Sequence, residues 1–520
     1  MPVNKKFVLV LALILATNSV WAIEDTPKKR SWFKRDKNEV RLEKPKKEKK
    51  VEVKEIDFPA VTIFKKGAQN LSTKTIDECV EYAIANNPGL AVAKQRISAA
   101  QAGIGVQKAS FAPRLTARVN YNHSMHKAEN MPTTNVDSLG FNAGISQLIW
   151  DFGKTIARIN MAKYDTLATQ YDYDYEYLEL VYNVRTNYYR VLMALANLDI
   201  YEQNVRINTL NYERTKAMFD EGLKSKIDVV NAEVNLADSK IQLVNGQNNL
   251  ANCVLNLKSS MDYSDPVNFV VQNTENFGFL KADYKKKMQS IDDIKPSGFN
   301  LKKNDDGLIT LSSGIEHNDI LQDYTFKPFK LTRQEAVDKA FENRPDLKSN
   351  RMIEKVQEES LKAIRRSYAP DITADLSWGY TKTESNYSSP LQIGASMGLG
   401  SINPVGIHYQ IKEGEAYLDI AKYNINMAKA DIFWEVQNNY INMRQLERKI
   451  PLMSEKVKAT LENFQLADGR YSVGLNNYVE LQDALANYNN AQLSFVQAVF
   501  EYNVARETLI KSMGVINDKK

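Results

Sequence analysis

The chain repeats itself at long range. Thr75-Ile76-Asp77-Glu78-Cys79-Val80-Glu81-Tyr82-Ala83-Ile84-Ala85-Asn86-Asn87-Pro88 returns as Thr332-Arg333-Gln334-Glu335-Ala336-Val337-Asp338-Lys339-Ala340-Phe341-Glu342-Asn343-Arg344-Pro345. The offset holds through Phe111-Ala112-Pro113 and Tyr368-Ala369-Pro370. Further on it is slightly shorter, and Phe219-x-x-Gly222-Leu223-x-x-x-x-Asp228 answers Tyr471-x-x-Gly474-Leu475-x-x-x-x-Glu480. A period of roughly 250 residues is far beyond the 20–50 of a solenoid unit. It reads as the duplication of a whole structural half. Two similar halves suit a pseudo-symmetric wall, ring or pore.

The boundaries follow from composition. Met1–Ala22 has the form of a secretory signal peptide: Lys5 and Lys6, an apolar run Phe7–Ala16, and a small-residue end Val20-Trp21-Ala22. The run is too short to span a bilayer. Residues 23–70 form a basic linker with Lys28-Lys29-Arg30 and Lys46-Lys47-Glu48-Lys49-Lys50. It is a solvated spacer, or an arm touching an anionic envelope surface. Repeat 1 covers 71–262 with a strand hairpin at 113–150. A polar insert follows at 263–330. Repeat 2 covers 331–515 with a hairpin at 370–402, and 516–520 is a tail. A net charge of +5 over 520 residues gives no field suited to nucleic acid. Mean hydropathy is −0.44. No later stretch is apolar enough for a transmembrane helix, so the mature chain is soluble or crosses a membrane as strands. Cys79 and Cys253 have Ala336 and Ala505 as repeat counterparts, which suggests small buried slots; a disulfide is permitted but not required.

Within each half the period changes. A short helix Ile76–Asn86 and a longer one to about Ser110 give way to alternation. Leu115, Ala117, Val119 and Tyr121 alternate with Thr116, Arg118, Asn120 and Asn122; Leu139, Phe141, Ala143 and Ile145 alternate with Gly140, Asn142, Gly144 and Ser146. The second half has Ile372, Ala374, Leu376 and Trp378, then Leu391, Ile393, Ala395, Met397 and Leu399, against Thr, Asp, Ser, Gln and Gly. Strands of roughly ten residues with this dyad pattern are those of a membrane β-barrel. Backbone in lipid must be fully paired, so the sheet must close, and four strands cannot close alone. Several chains must pool their strands.

After each hairpin comes a stretch of helix too long for a compact domain. Lys154–Glu221 contains neither Pro nor Gly, and at 1.5 Å per residue it would reach about 100 Å. Val181, Val184, Tyr188, Val191, Leu195, Leu198 and Val205 form a coiled-coil seam, matched after Gly406 by Phe433, Val436, Tyr440, Met443 and Ile450. Pro451 should kink or end the second segment. Further helices are expected over Ile227–Ser259 and Tyr478–Lys511.

These features together resemble the TolC family of outer-membrane efflux proteins. The carriers are the two helix openings, the Ala-Pro before each first strand, Trp150-Asp151-Phe152-Gly153, the two tips and Ser512-Met513-Gly514. The resemblance implies an α+β membrane protein. Three chains would share a twelve-strand barrel in outer-membrane lipid, four strands each, continued by a helical coiled-coil barrel in the periplasm. It implies export of small molecules, drugs or proteins. A periplasmic adaptor and an inner-membrane pump of RND, ABC or MFS type would be the partners. It further implies a tunnel entrance at Glu480 and Asp483, with Tyr471 bonded to Asp228 to hold it shut. Asn476 stands where the family's best-known member has a locking arginine. Gly222, Leu223, Gly474 and Leu475 would be adaptor-docking tips.

Chemistry is not indicated. His123-x-x-His126 sits in an expected polar loop without a third ligand. There is no phosphate-binding Gly-Lys loop and no nucleophile elbow. Neither enzyme, cofactor nor metal is expected. The competing reading is an exported coiled-coil spacer or adhesin without a pore, which would leave the amphipathic hairpins unexplained.

Overall fold

The computed structural model describes residues 73–126, 134–263, 270–271, 328–383, 386–398 and 403–515. The signal segment, the basic linker, nearly all of the polar insert, the loop tip of the first hairpin and the tail lie outside the described residues.

Each half opens on a reciprocal cap. Thr75 Oγ1 accepts from the Glu78 N–H at 3.2 Å while Glu78 Oε2 accepts from the Thr75 N–H at 2.9 Å. Thr332 and Glu335 make the same pair at 3.4 and 2.8 Å. Satisfying two orphan amides at once fixes where each helix begins. After β1 (Thr73–Lys74), this starts α1 (Ile76–Asn86) and, in the second half, α5 (Arg333–Asn343). Pro88 and Pro345 then open α2 (Pro88–Lys108) and α6 (Pro345–Arg365), since a first-turn proline loses no hydrogen bond.

The strands are β2 (Arg114–His126) and β3 (Thr134–Trp150), then, after β4 (Val270–Val271), β5 (Asp371–Thr383), β6 (Tyr387–Ser388) and β7 (Leu391–Gly398). The order β2-β3-β5-β7 is antiparallel throughout. Register places apolar residues opposite one another: Leu115↔Ile145↔Leu376↔Ile393 in one row, and Val119↔Phe141↔Tyr380 in another. One face is therefore mainly apolar, with His123, Asp137 and Lys382 toward the hairpin tips, and it is open: Leu115 is 75% exposed, Val119 70% and Met397 70%. The opposite face is small and polar, with rows such as Thr116↔Gly144↔Ser377↔Gln392. The expected face assignment holds, and β2 and β3 run longer than the ten residues read from alternation.

The long helices are α3 (Lys154–Asp220, 67 residues) and α7 (Pro404–Ser472, 69 residues), followed by α4 (Lys226–Ser260) and α8 (Tyr478–Ser512), 35 residues each. Among the described residues no helix is long and apolar enough to cross a membrane. Pro451 does not end α7, which continues through it. The lost i−4 bond is compensated by packing on both sides, where Leu446, Ile450 and Val457 are buried. The seam residues Val181, Val184, Tyr188, Val191, Leu195, Val205, Val436, Met443 and Ile450 are all in the core. Cys79 lies fully buried beside Ala83, with Ala336 equally buried in the other half. Both cysteines are free, and burial pushes the Cys79 thiol up to about 12.

A braced elbow joins sheet to helix. Asp151, buried to 3% exposure, accepts from the Gly153 N–H at 3.0 Å and the Thr155 N–H at 2.6 Å. Phe152 and Gly153 take φ of 55° and 87°. Arg366 Nη1 donates to the Gly153 carbonyl at 2.9 Å, and a Cβ there would lie 2.8 Å from that nitrogen. The left-handed φ favours glycine here, and a side chain would also push the Arg366 guanidinium off its carbonyl. Lys154 closes the brace on the second half, reaching the Ala369 carbonyl at 3.0 Å and Asp371 at 2.5 Å.

Candidate functional site

The far ends of the long helices turn in the same way. The Leu223 N–H donates to the Met218 carbonyl at 2.8 Å and the Gly222 N–H to Phe219 at 2.9 Å; Leu475 donates to Arg470 at 2.9 Å and Gly474 to Tyr471 at 3.0 Å. Both glycines sit at φ 76° with open space around a would-be Cβ, so the constraint is conformational. Leu223 and Leu475, one residue on, are 72% and 73% exposed. Apolar side chains at such a tip contribute little to folding and are free to meet a partner.

The acids of the next helices are partly explained by capping. Asp228 Oδ2 accepts from the Ser225 hydroxyl at 2.9 Å and the Ser225 N–H at 3.3 Å. The Glu480 N–H is capped by Asn477 at 2.8 Å. A carboxylate in the first turn also faces the positive end of the helix dipole. Glu480 and Asp483 are exposed, about one turn apart on α8, and neither forms an ion pair among the described residues.

The hydrogen bond expected from Tyr471 to Asp228 is not formed. Tyr471 is fully buried and its hydroxyl pairs with Thr215 Oγ1 at 2.8 Å. The Asp228 carboxylate is held by its own cap. It still acts at a distance: burial pushes the pKa of the Tyr471 hydroxyl up, and the Asp228 charge adds to that.

Sequence reasoning missed three partners here. Asn476, in place of the expected cation, is buried, and its carbonyl accepts from Lys224 Nζ at 3.2 Å. The same ammonium lies 4.7 Å from the centre of the Tyr471 ring. Arg214 and Asp468 make a 2.6 Å ion pair, with side chains 3% and 15% exposed, that ties α3 to α7 behind the tips. The signal for Lys224 was available. In the duplicated tips it occupies the position of Asn476, so the cation missing from one tip is supplied by the other.

Tyr471→Phe and Thr215→Val should each lower unfolding stability by about 1 kcal/mol. The double variant should cost little more than one alone, because both delete the same bond. Chemical denaturation in detergent measures this; additive losses would place the two hydroxyls in separate interactions.

Among the described residues no cluster of three His, Cys, Asp or Glu could hold a metal. His123 Nδ1 lies instead 2.7 Å from Asp137.

Comparison with known proteins is consistent in kind. A family described as outer membrane efflux protein matches residues 79–261 and 336–515. The chain is 25% identical over 183 residues to outer membrane protein TolC of Vibrio cholerae, a match covering 35% of this chain and 42% of that protein. It is 21% identical to the probable efflux pump outer membrane protein TtgC of Pseudomonas putida over 84% of this chain and 82% of that one. The fold resembles that of the outer membrane protein VceC of Vibrio cholerae, with TM-score 0.63 and 16% identity over 85% of this chain and 96% of the other.

Proposed function

This chain belongs to the outer membrane efflux protein family, and from that membership we propose that it is the exit duct of a tripartite export system. It is located in the outer membrane, with its helices in the periplasm. Three copies pool four strands each into one twelve-strand barrel, and α3, α4, α7 and α8 continue the barrel as a tunnel. A periplasmic adaptor docks on the tips, and an inner-membrane pump of RND, ABC or MFS type drives transport. The match to an efflux component along most of both chains favours small-molecule efflux over type I protein secretion.

The observation that carries this reading is the open apolar face of β2-β3-β5-β7, on a sheet whose outer edges belong to β2 and β7. Unpaired edges cannot stay in lipid, and pooling strands removes them. A coiled-coil spacer or adhesin without a pore has no use for such a face. Mass measurement in mild detergent should give three copies, together with heat-modifiable migration. A stable membrane-inserted monomer would contradict it.

Glu480 and Asp483 would then line the inner mouth, repeated around the axis where walls converge and fields focus. Tyr471, Thr215 and Lys224 would restrain it. Single-channel recording should find Glu480→Ala with Asp483→Ala stripped of cation selectivity and of block by multivalent cations. Tyr471→Phe should raise resting conductance. Unchanged selectivity in the double variant would reduce the two carboxylates to solvated helix surface.

A further inference from the structure

The polar face of the sheet is nearly free of charge, and what charge it holds is arranged by level. Five ionisable residues share that face among the described residues: Arg114, Arg118, Asp371, Asp375 and, in the last row by register, His126. Asp371 is engaged by Lys154 at the elbow. Asp375 accepts from the hydroxyls of Thr373 at 3.0 Å and Ser396 at 3.1 Å. It lies in the same row as Arg114, through Arg114↔Ser146↔Asp375, so the two charges offset each other at that level. Arg118 stands four residues further from the elbow, in the row Arg118↔Asn142↔Gly379. It is exposed and makes no ion pair or hydrogen bond among the described residues. Beyond it the described rows of this face hold no Lys, Arg, Asp or Glu: Asn120, Asn122, Ser124, Val136, Ser138, Gly140, Thr381 and Thr383, and then the last row His126↔Thr134.

The wall around Arg118 is flat for a physical reason. A Cβ at Gly379 would lie 2.6 Å from the Asn142 amide oxygen, and one at Gly140 would lie 2.7 Å from that of Asn120. The asparagines lie sideways over their glycine neighbours, and Asn142 donates to Asn120 at 3.4 Å. The arginine therefore rises from a low wall whose polar groups are turned to one another.

We infer that Arg118, repeated once per copy, forms a basic collar inside the barrel, one step above the elbow, that binds multivalent anions. It is opposite in sign to the acidic inner mouth. The inference rests on the shared-barrel reading above. Twelve strands about 4.8 Å apart and tilted by about 40° enclose a backbone radius of about 12 Å. A guanidinium standing off that wall lies within about one Debye length, ~8 Å at physiological salt, of the axis. A duct positive within its barrel and negative at its inner mouth conducts unequally in the two directions. It also resists entry of external polycations while passing anionic solutes outward.

The test is recording in planar bilayers with the protein added from one side. The polar helices cannot cross lipid, so insertion is oriented. Tripolyphosphate on the barrel side should block the wild type in a voltage-dependent way, and currents at opposite voltages should differ by about twofold. Arg118→Gln should weaken the block at least about tenfold and make the currents symmetrical, Arg118→Lys should keep both properties, and Arg114→Gln should keep the block. Block that survives in Arg118→Gln, or is absent from the wild type, overturns the collar while leaving the duct intact. If no channels form at all, the duct reading fails and takes the collar with it.

Discussion

Leu376→Arg should cost about 2–4 kcal/mol per copy and deplete the inserted trimer, because its row Ile145↔Leu376↔Ile393 crosses the middle of the apolar face. Ile393→Arg should behave alike, since Ile393 is its direct cross-strand partner. The contrast lies three residues away. Thr373 and Ser396 are also paired across the same two strands, and their hydroxyls are 2.8 Å apart. They occupy the polar face beside Asp375, where an added guanidinium meets water and a carboxylate. Thr373→Arg and Ser396→Arg should fold with much smaller losses and change conductance instead. Unfolding in denaturant from detergent micelles, with trimer yield from membranes, separates the two classes. Equal losses on both faces would mean that the apolar face does not meet lipid.

The second large effect is on transport. Leu223→Asp together with Leu475→Asp should abolish export in cells while barrel and trimer persist. Both side chains are exposed and lie beyond the last helical turn, so the folded chain should lose no more than about 0.5 kcal/mol. Docking is another matter. An apolar anchor in a helical interface can be worth about 2 kcal/mol or more. In the proposed trimer the two leucines would recur around the symmetry axis, and each substitution would also bury a carboxylate. Normal export by the double variant would remove the tips from the docking surface. Loss of the trimer would give the leucines a structural role that their exposure argues against.

Much of this was legible because period is a strong signal. Leu115 through Tyr121 alternate cleanly, and the three-four spacing of Val181 through Leu195 marks a buried seam. Element ends were also readable where a residue type forces them, as at Pro88, Gly222 and Gly474. What the sequence concealed were contacts between residues far apart in the chain. Tyr471 finds Thr215 rather than Asp228 because Asp228 is already engaged by Ser225 three residues earlier, and a local cap outcompetes a distant hydroxyl. Arg214 and Asp468 meet across two helices that no spacing rule connects. Pro451 misled for the converse reason, since a local breaker was overruled by the neighbours that bury Leu446 and Val457.

The braced turn at Asp151–Thr155 acts as a fulcrum. A helix of 67 residues is a lever arm of about 100 Å, so a one-degree rotation at its base would swing its end by about 2 Å. That is comparable to the tolerance of a docking contact. Holding the base from both sides, with Arg366 on the Gly153 carbonyl and Lys154 on Asp371, keeps thermal wobble of the lipid-embedded part from being magnified at the opposite end. Loosening this joint, for instance with Arg366→Ala, would act like play in a bearing: harmless where it occurs and disabling at the far end of the shaft.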